Sequence, residues 1–348
     1  MKIKDLCSYA PKSRTKAGEA VENAKYIFFT SSADENKRYT DFQFDKEAVI
    51  MGTGGNATLH YYNGKFSVST DCLVLLPNSK IKCKYLYYFF KSHMSVLEAG
   101  FKGAGLKHTN KKYIEEINIS EVPDLTTQEK IISHLDTISE NVEKLKRELE
   151  LFDSLTKARF VEMFGDYLKD DRRPLSKVAI ITGGLTKNSN RNTFETKMPY
   201  LRVANVFYNR LDLREILEIG VKEEEIEKTL LQAGDLLFVE GNGSIEQIGR
   251  VAIWDGSIDP ILHQNHLIKA RFNNEIIAPE YALFYFMLQE GRQQIISKSV
   301  STSGLNTLSV NKVSSLLLPI PPIALQKQFA DFVKQVDKSK FIQMNSTI

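Results

Sequence analysis

Apolar residues recur along residues 125–165 in alternating steps of four and three, at Ile131, Leu135, Ile138, Val142, Leu145, Leu149 and Phe152. Such a heptad seam predicts an amphipathic helix that needs a partner helix in a coiled coil. Thr126 or Thr127 is placed to cap its start, and Gly165 to close its end. At about 1.5 Å per residue the helix spans roughly 55 Å, longer than a compact domain needs internally, so it reads as a spacer. A similar start follows about 198 residues later, where Pro321-Pro322-Ile323-Ala324-Leu325-Gln326-Lys327-Gln328-Phe329 matches Pro123-Asp124-Leu125-Thr126-Thr127-Gln128-Glu129-Lys130-Ile131. The second seam is Phe329, Val333 and Val336, and it is expected to lose register at Lys340. About 25 residues remain for this helix, against about 38 for the first, so part of the first is expected to lack a partner within the chain.

The repetition extends upstream. Gly105-Leu106 with Ile114, Ile117 and Ile119 corresponds to Gly304-Leu305 with Val313, Leu316 and Leu318. The segment around residues 49–55 parallels residues 236–243, and Tyr26-Ile27 is echoed by Tyr200-Leu201. A period this long is too large for a solenoid and indicates tandem duplication of one unit, a globular domain followed by a helix. The expected divisions are residues 1–124, 125–165, 166–322 and 323–348.

Within the first copy, residues 25–30, 48–51 and 72–76 read as strands, and Asn63-Gly64 is the strongest hairpin signal of the chain. Residues 85–101 read as an aromatic helix, and residues 103–112 as a basic loop with glycines. In the second copy, residues 198–206, 236–239, 248–254 and 267–272 read as strands, residues 223–228 as a charged helix and residues 281–289 as the matching aromatic helix. Residues 298–306 are expected to form a polar loop. The pattern is α+β, two such domains in tandem, separated and followed by long helices that form an antiparallel coiled coil.

A length of 348 residues accommodates two domains with cores of their own. The formal charge of +3 neither demands nor excludes a nucleic-acid partner. Cys7, Cys72 and Cys83 have no metal-type spacing and are expected to be inert thiols in a reducing cytoplasm. No apolar run is long enough to span a membrane, and the N-terminus has no apolar signal core.

Catalytic patterns fail one by one. The glycines of residues 52–55 are followed by no Gly-Lys-Ser/Thr, so a tight turn is favoured over a phosphate cradle. Residues 238–243 have a superficial likeness to the cofactor loop of adenine methyltransferases, without the Asn-Pro-Pro-Tyr or Asp-Pro-Pro-Tyr segment that grips a flipped base. Glu35-Asn36-Lys37 has nuclease-like spacing but lies in a polar loop without an acidic strand. His263 and His266 are expected to pack or hydrogen-bond rather than bind metal, and no Ser or Cys sits in a nucleophile elbow. The chain reads as a binder.

Two diverged domains alternating with heptad helices, the paired entrances at Pro123/Gln128 and Pro321-Pro322/Gln326, the Phe160-Val161-Glu162-Met163-Phe164-Gly165-Asp166 exit and the Gly234-Asp235-Leu236-Leu237 strand resemble the specificity subunit of type I restriction-modification systems over essentially the whole chain. The resemblance implies that each domain reads one half of an asymmetric, gapped double-stranded DNA site, and that the helices set the gap and dock two modification subunits. It implies no catalytic residue, metal or cofactor in this chain. S-adenosylmethionine for adenine methylation belongs to the modification subunits, and Mg and ATP for translocation and cleavage to the restriction subunits. By analogy the DNA contacts come from Gly52, Thr53, Gly54, Gly55, Asn56, Lys102, Lys107, His108 and Thr109 in the first domain. In the second they come from Arg202, Asn205, Gly241, Asn242, Gly243, Gln247, Arg250, Lys298, Ser301, Thr302 and Asn306. Arg, Asn and Gln suit base edges, whereas Lys, Ser, Thr and backbone amides suit phosphates. Alternatives are the targeting subunit of a fused methyltransferase-nuclease system, a coiled-coil scaffold that binds proteins, and a stand-alone methyltransferase. Salt-sensitive DNA affinity separates the specificity subunit from the scaffold, and cofactor binding by the isolated chain would mark the methyltransferase.

Overall fold

The structure, a computed structural model, describes residues 1–169, 172–302 and 305–345. β-Branched and aromatic runs build the sheet of the first of two units, Met1–Lys144. Its strands are β1 (Cys7–Tyr9), β2 (Tyr26–Phe29), β3 (Arg38–Tyr39), β4 (Phe44–Gly52), β5 (Leu59–Val68) and β6 (Cys72–Pro77), in the order β1-β6-β4-β5-β2-β3. In β4, residues Ala48, Val49, Ile50 and Met51 are all buried because both faces are covered. Val49 and Met51 pack with Leu86 and Phe90, while Ala48 and Ile50 pack with Phe29, Phe66 and Val68.

Asn63-Gly64 is not a hairpin. β5 runs straight through it, with Asn63 opposite Glu47 and Gly64 opposite Lys46. The turn lies instead at residues 53–58, between the two strands. The continuous antiparallel ladder from Phe44↔Phe66 to Met51↔Leu59 satisfies far more backbone than a local hairpin could, so the tertiary pairing overrides the dipeptide signal. Gly64 keeps a φ of +138°, and the Tyr62 ring lies where its Cβ would make contact.

The aromatic stretch after the sheet is two helices, α1 (Cys83–Ser92) and α2 (Met94–Glu98), broken at His93 (φ −121°, ψ 37°). A short α3 (Lys111–Glu116) precedes α4 (Leu125–Phe164). The cap of α4 is Asp124 rather than a threonine: its carboxylate accepts from the Thr127 N–H at 2.9 Å and from the Thr127 hydroxyl at 2.8 Å. The backbone bond is the main reason its pKa lies below the usual value.

The second unit, Leu145–Ile348, takes the later part of α4 as its first element. Next come β7 (Arg172–Pro174), β8 (Ala179–Gly183), β9 (Lys197–Leu201), β10 (Val206–Phe207), β11 (Arg210–Leu211), β12 (Leu217–Gly220) and α5 (Glu223–Thr229). Then follow β13 (Leu236–Val239), β14 (Gly241–Asn242), β15 (Val251–Ile253), β16 (Leu262–His263), β17 (Leu267–Phe272), α6 (Pro279–Met287) and α7 (Gln289–Lys298). β18 (Val300–Thr302), β19 (Leu305–Thr307), α8 (Val310–Ser314), β20 (Leu317–Pro319) and α9 (Ile323–Asn345) complete it. The expected polar loop at residues 298–306 is therefore partly the β18/β19 pair.

The central sheet of this unit is β15-β13-β17-β8. Along β13, Leu236 and Phe238 face the α6 cluster, while Leu237 and Val239 face a second core holding the single tryptophan, Trp254, 1% exposed. The Gly-Asp-Leu-Leu motif has a local cause. Gly234 turns at φ +93°, and the buried Asp235 accepts from Arg271 Nε at 2.8 Å and Nη2 at 2.7 Å.

α9 pairs antiparallel with the later part of α4. Phe329 meets Phe160 (ring centroids 5.2 Å), Lys340 bonds Asp153 at 2.7 Å, and Gln343 bonds Glu148 at 2.5 Å. The second seam does not lose register at Lys340; it continues there with polar side chains. In keeping with a first helix longer than its partner, Ile138 and Val142 of the first seam are 57% and 43% exposed, whereas Thr156, Phe160 and Phe164, beyond the expected seam, are buried.

Each helix entrance is pinned by one buried glutamine. Gln128 Oε1 accepts the Lys82 N–H at 2.8 Å, and its Nε2 donates to the carbonyls of Lys80 (3.1 Å) and Pro123 (2.7 Å). Gln326 repeats this with the Ala278 N–H (2.9 Å) and the carbonyls of Ile276 (3.0 Å) and Pro321 (2.8 Å). Both are 0% exposed. Lys82 and Ala278 are the N-caps of α1 and α6, so each carboxamide ties a spacer-helix entrance to an aromatic-helix entrance. Substituting either by Leu strands one buried N–H and two carbonyls, and is expected to cost about 3 kcal/mol in denaturant unfolding. Residues this independent should give additive losses in the double variant.

Candidate nucleic-acid interface

In the first unit the two candidate loops are one structure. Gly54 bridges His108, the Gly55 N–H bonds the Lys107 carbonyl at 2.8 Å, and the Thr109 N–H bonds the Thr53 carbonyl at 2.9 Å. Lys102 and His108 exchange backbone hydrogen bonds at 2.9 and 3.0 Å, which closes the second loop on itself. The result is a paired edge that exposes Asn56, Lys102, Lys107 and His108, with Leu106 69% exposed beside them. Gly52 is explained by packing, since its Cβ would lie 2.3 Å from Thr58 Oγ1 and 2.7 Å from Ser31 Cα. Thr53 turns its hydroxyl back to the Asp71 carbonyl at 3.0 Å, and Thr109 is buried.

The second unit gathers its candidates around the segment after β13. β14 pairs with β19, setting Gly241 opposite Thr307 and Asn242 opposite Asn306, and β18 sets Ser301 opposite Asn306. Gly243 is exposed, Asn306 is buried against the carbonyls of Asn242 and Gly243, and Lys298 ends α7. The backbone of Ser301 and Thr302 belongs to β18, but their side chains lie outside the described part of the structure.

Asn205 and Arg202 are also used internally. Asn205 is 3% exposed and caps the turn after β9: its Oδ1 accepts the Arg202 N–H at 2.9 Å, and its Nδ2 donates to the carbonyls of Asp212 and Glu215. Arg202 is held by Glu215 Oε2 at 2.8 Å. These roles follow from contacts distant in sequence, which residue type alone does not reveal.

Residues that the sequence reading missed stand beside Gln247 and Arg250. β10 and β11 form a hairpin turned by Tyr208-Asn209, with Asn209 at φ +46° and its N–H on the Val251 carbonyl at 2.8 Å. The Arg210 and Arg250 guanidinium groups lie 4.7 and 5.1 Å from the Phe207 ring centroid. Arg292 lies over Tyr208 and donates to the carbonyls of Ile248 and Glu246. Gln247 is within 3.4 Å of Arg250. Burial lowers the pKa of Arg250 and Arg292, but guanidinium stays charged at neutral pH. Two-residue strands have no hydrophobic period; the only available signal was an Asn in a turn between Val206-Phe207 and Arg210-Leu211.

The groups set aside as catalytic have structural partners. His263 is fully buried with Nδ1 2.8 Å from the Thr229 carbonyl, whereas the exposed His266 meets Glu240 at 2.7 Å. Glu35 meets His60 Nδ1 at 3.0 Å. The three cysteines are buried; burial pushes Cys72 up to about 11 and Cys7 up to about 12, and raises Cys83 as well. Among the described residues no helix is long and apolar enough to cross a membrane.

The sequence model of one family, the type I restriction modification DNA specificity domain, matches residues 1–151 and 171–348. The chain is 26% identical over 354 residues to the specificity subunit of the type I restriction enzyme EcoKI of Escherichia coli K12, covering 95% of this chain and 70% of that protein. It is 33% identical over 159 residues to the specificity subunit of the type I restriction enzyme MpnII of Mycoplasma pneumoniae, covering 43% of this chain and 47% of that protein. In fold it is similar to the crystal structure of a type I restriction-modification S subunit from M. genitalium, with a TM-score of 0.66 and 17% identity over 100% of this chain and 91% of that one.

His263 makes the second unit sensitive to acid. Burial drops its pKa from 6.5 to about 4, so the unfolded chain binds the proton more readily than the native one. The stabilisation is complete above pH 6.5 and is lost as pH falls from there toward 4. Between pH 7 and pH 5 the loss is about 2 kcal/mol. His263→Asn, which retains a donor for the Thr229 carbonyl, is expected to show a flatter dependence of Tm on pH over that window.

Proposed function

The chain belongs to the type I restriction-modification DNA specificity family, and on that premise we propose that it is the subunit that chooses the DNA sequence, each unit reading one half of an asymmetric, gapped site. The observation that carries this reading is that each unit presents its own built edge of exposed or half-exposed cations. In the first it is the paired loop with Lys102, Lys107 and His108; in the second it is Arg210 and Arg250 over Phe207, together with Lys298 at the end of α7. The units are diverged in these segments, which supports two different half-sites.

Within each edge the chemistry divides. The exposed lysines are suited to phosphates, which fix register without reading sequence. Arg210 and Arg250, held over Phe207, have the planar fork that pairs with guanine in the major groove, and Gln247 has the amide that pairs with adenine. Asn205 and Thr109 hold their loops rather than touching DNA. The helices space the units and dock modification subunits. Methyl transfer from S-adenosylmethionine, and ATP- and Mg-dependent translocation and cleavage, reside in the partner chains of a cytoplasmic complex.

Methylation mapping of genomic DNA from cells holding the partner methyltransferase, with and without this chain, tests the reading. A gapped asymmetric motif that requires this chain is expected; an unchanged methylome would bring the protein-scaffold reading forward. With purified complex, Lys107→Ala is expected to weaken binding evenly across sequences and to reduce the salt slope by about one unit. Arg210→Ala is expected to relax recognition at one half-site only, with a penalty of about 1–3 kcal/mol for the cognate sequence.

A further inference from the structure

The same paired edge is built twice, and main-chain hydrogen bonds give its register. In the first unit the Thr109 N–H bonds the Thr53 carbonyl at 2.9 Å, and Gly54 forms an antiparallel bridge with His108. In the second the Leu308 N–H bonds the Glu240 carbonyl at 2.7 Å, and Gly241 stands antiparallel to Thr307. On its other side His108 pairs with Lys102, as Thr307 pairs with Val300. His108 is therefore the counterpart of Thr307, and Thr109 of Leu308. Two residues before each bridge stand Leu106 and Leu305, each preceded by glycine in the sequence. The hydrogen bonds and the sequence repeat thus align the same two leucines.

Leu106 is 69% exposed and Leu305 46%. One exposed leucine on a surface needs no explanation. Two at the same position of a duplicated edge do, since the next two residues differ, Lys107 and His108 against Asn306 and Thr307. The first tip is shaped to present its leucine. Gly103 turns at φ +145°, where a Cβ would lie 2.9 Å from the Leu106 carbonyl, and nothing but its chain neighbours lies within 4 Å of where a Gly105 Cβ would stand. Lys102 and Lys107 are exposed on either side, and among the described residues neither has a carboxylate partner. An apolar tip between two free cations is the complement of a surface with an anionic rim and an apolar floor. The phosphates and base pairs of a DNA groove have that arrangement.

We propose that Leu106 and Leu305 are a matched pair of base contacts, each laying its side chain against the base pairs of its own half-site. This role rests on the sequence-choosing function proposed above. The shared chemistry is apolar contact with a base pair, offered either by a thymine methyl in the major groove or by a base face at an opened step.

The test uses the purified complex with its modification subunits and duplexes that carry the motif found by methylation mapping. Leu106→Ser and Leu305→Ser are each expected to weaken the cognate duplex roughly tenfold, with binding to unrelated duplexes and the salt slope unchanged. A phosphate contact would instead lower the slope by about one unit. Scrambling one half-site should abolish the effect of one variant, and scrambling the other half-site that of the other. A readout on the DNA side stands even where a serine variant melts early. Deoxyuridine in place of each thymine in turn removes only the methyl group, and a loss at one thymine per half-site identifies the methyl contact. With no such loss, brightening of 2-aminopurine beside one step, away from the methylated base, identifies the opened step. Serine variants that keep the wild-type preference, losses that are equal on every sequence, or silence in both DNA-side readouts overturn the proposal alone. A wild-type complex with no sequence preference overturns the sequence-choosing function with it.

Discussion

A buried carboxamide decides where each spacer helix leaves its unit. Only an uncharged side chain with both an acceptor and two donors can answer one N–H and two carbonyls at once. Glutamate would offer no donor and would bring a charge into a dry site; leucine would leave three polar groups unanswered. Gln128 and Gln326 make the same three bonds. The angle between spacer and aromatic helix is thereby fixed by hydrogen bonds rather than by apolar contact, which tolerates sliding. The stripes that follow, Ile131 and Leu135 in one unit and Phe329 and Val333 in the other, face the aromatic helices because the glutamine one turn earlier is immovable.

Charge is distributed with the same economy of motion. The chain carries a formal charge of only +3, and many of its cations are committed to carboxylates: Arg271 to Asp235, Arg191 to Glu225, Lys84 to Asp136. The arginines at the β10/β11 hairpin are different, being held by aromatic faces and main-chain carbonyls instead of acids. A guanidinium positioned in that way keeps its field directed outward while losing little rotamer freedom on binding.

The duplication, the long helix and the α+β class were legible because each is written in periodicity and repetition, which survive divergence. The glutamine motif was legible as a motif but not as a mechanism, since two of the three partners of each glutamine lie 46 to 50 residues away. Asn63-Gly64 misled because a dipeptide preference is weaker than a full strand pairing with β4. Periodicity shows the apolar face through Ile138 and Val142 but not which stretch of it is left uncovered. The two candidate loops of the first unit stand out by composition, whereas their pairing through Gly54 and His108 leaves no mark in the sequence. Phe207, Arg210 and Arg292 escaped because single residues on two-residue strands leave no pattern. Asn205 has the right chemistry for a base edge and spends it on its own turn.

The placement of sulfur and indole has an experimental consequence. Cys7, Cys72 and Cys83 all lie in the first unit and are buried there, whereas Trp254 lies in the core of the second. A thiol reagent therefore registers only the opening of the first unit, and tryptophan emission only the loosening of the second. The wild-type chain carries a separate chemical clock and optical gauge for its two halves, and whether they melt together or in sequence is readable without a single mutation.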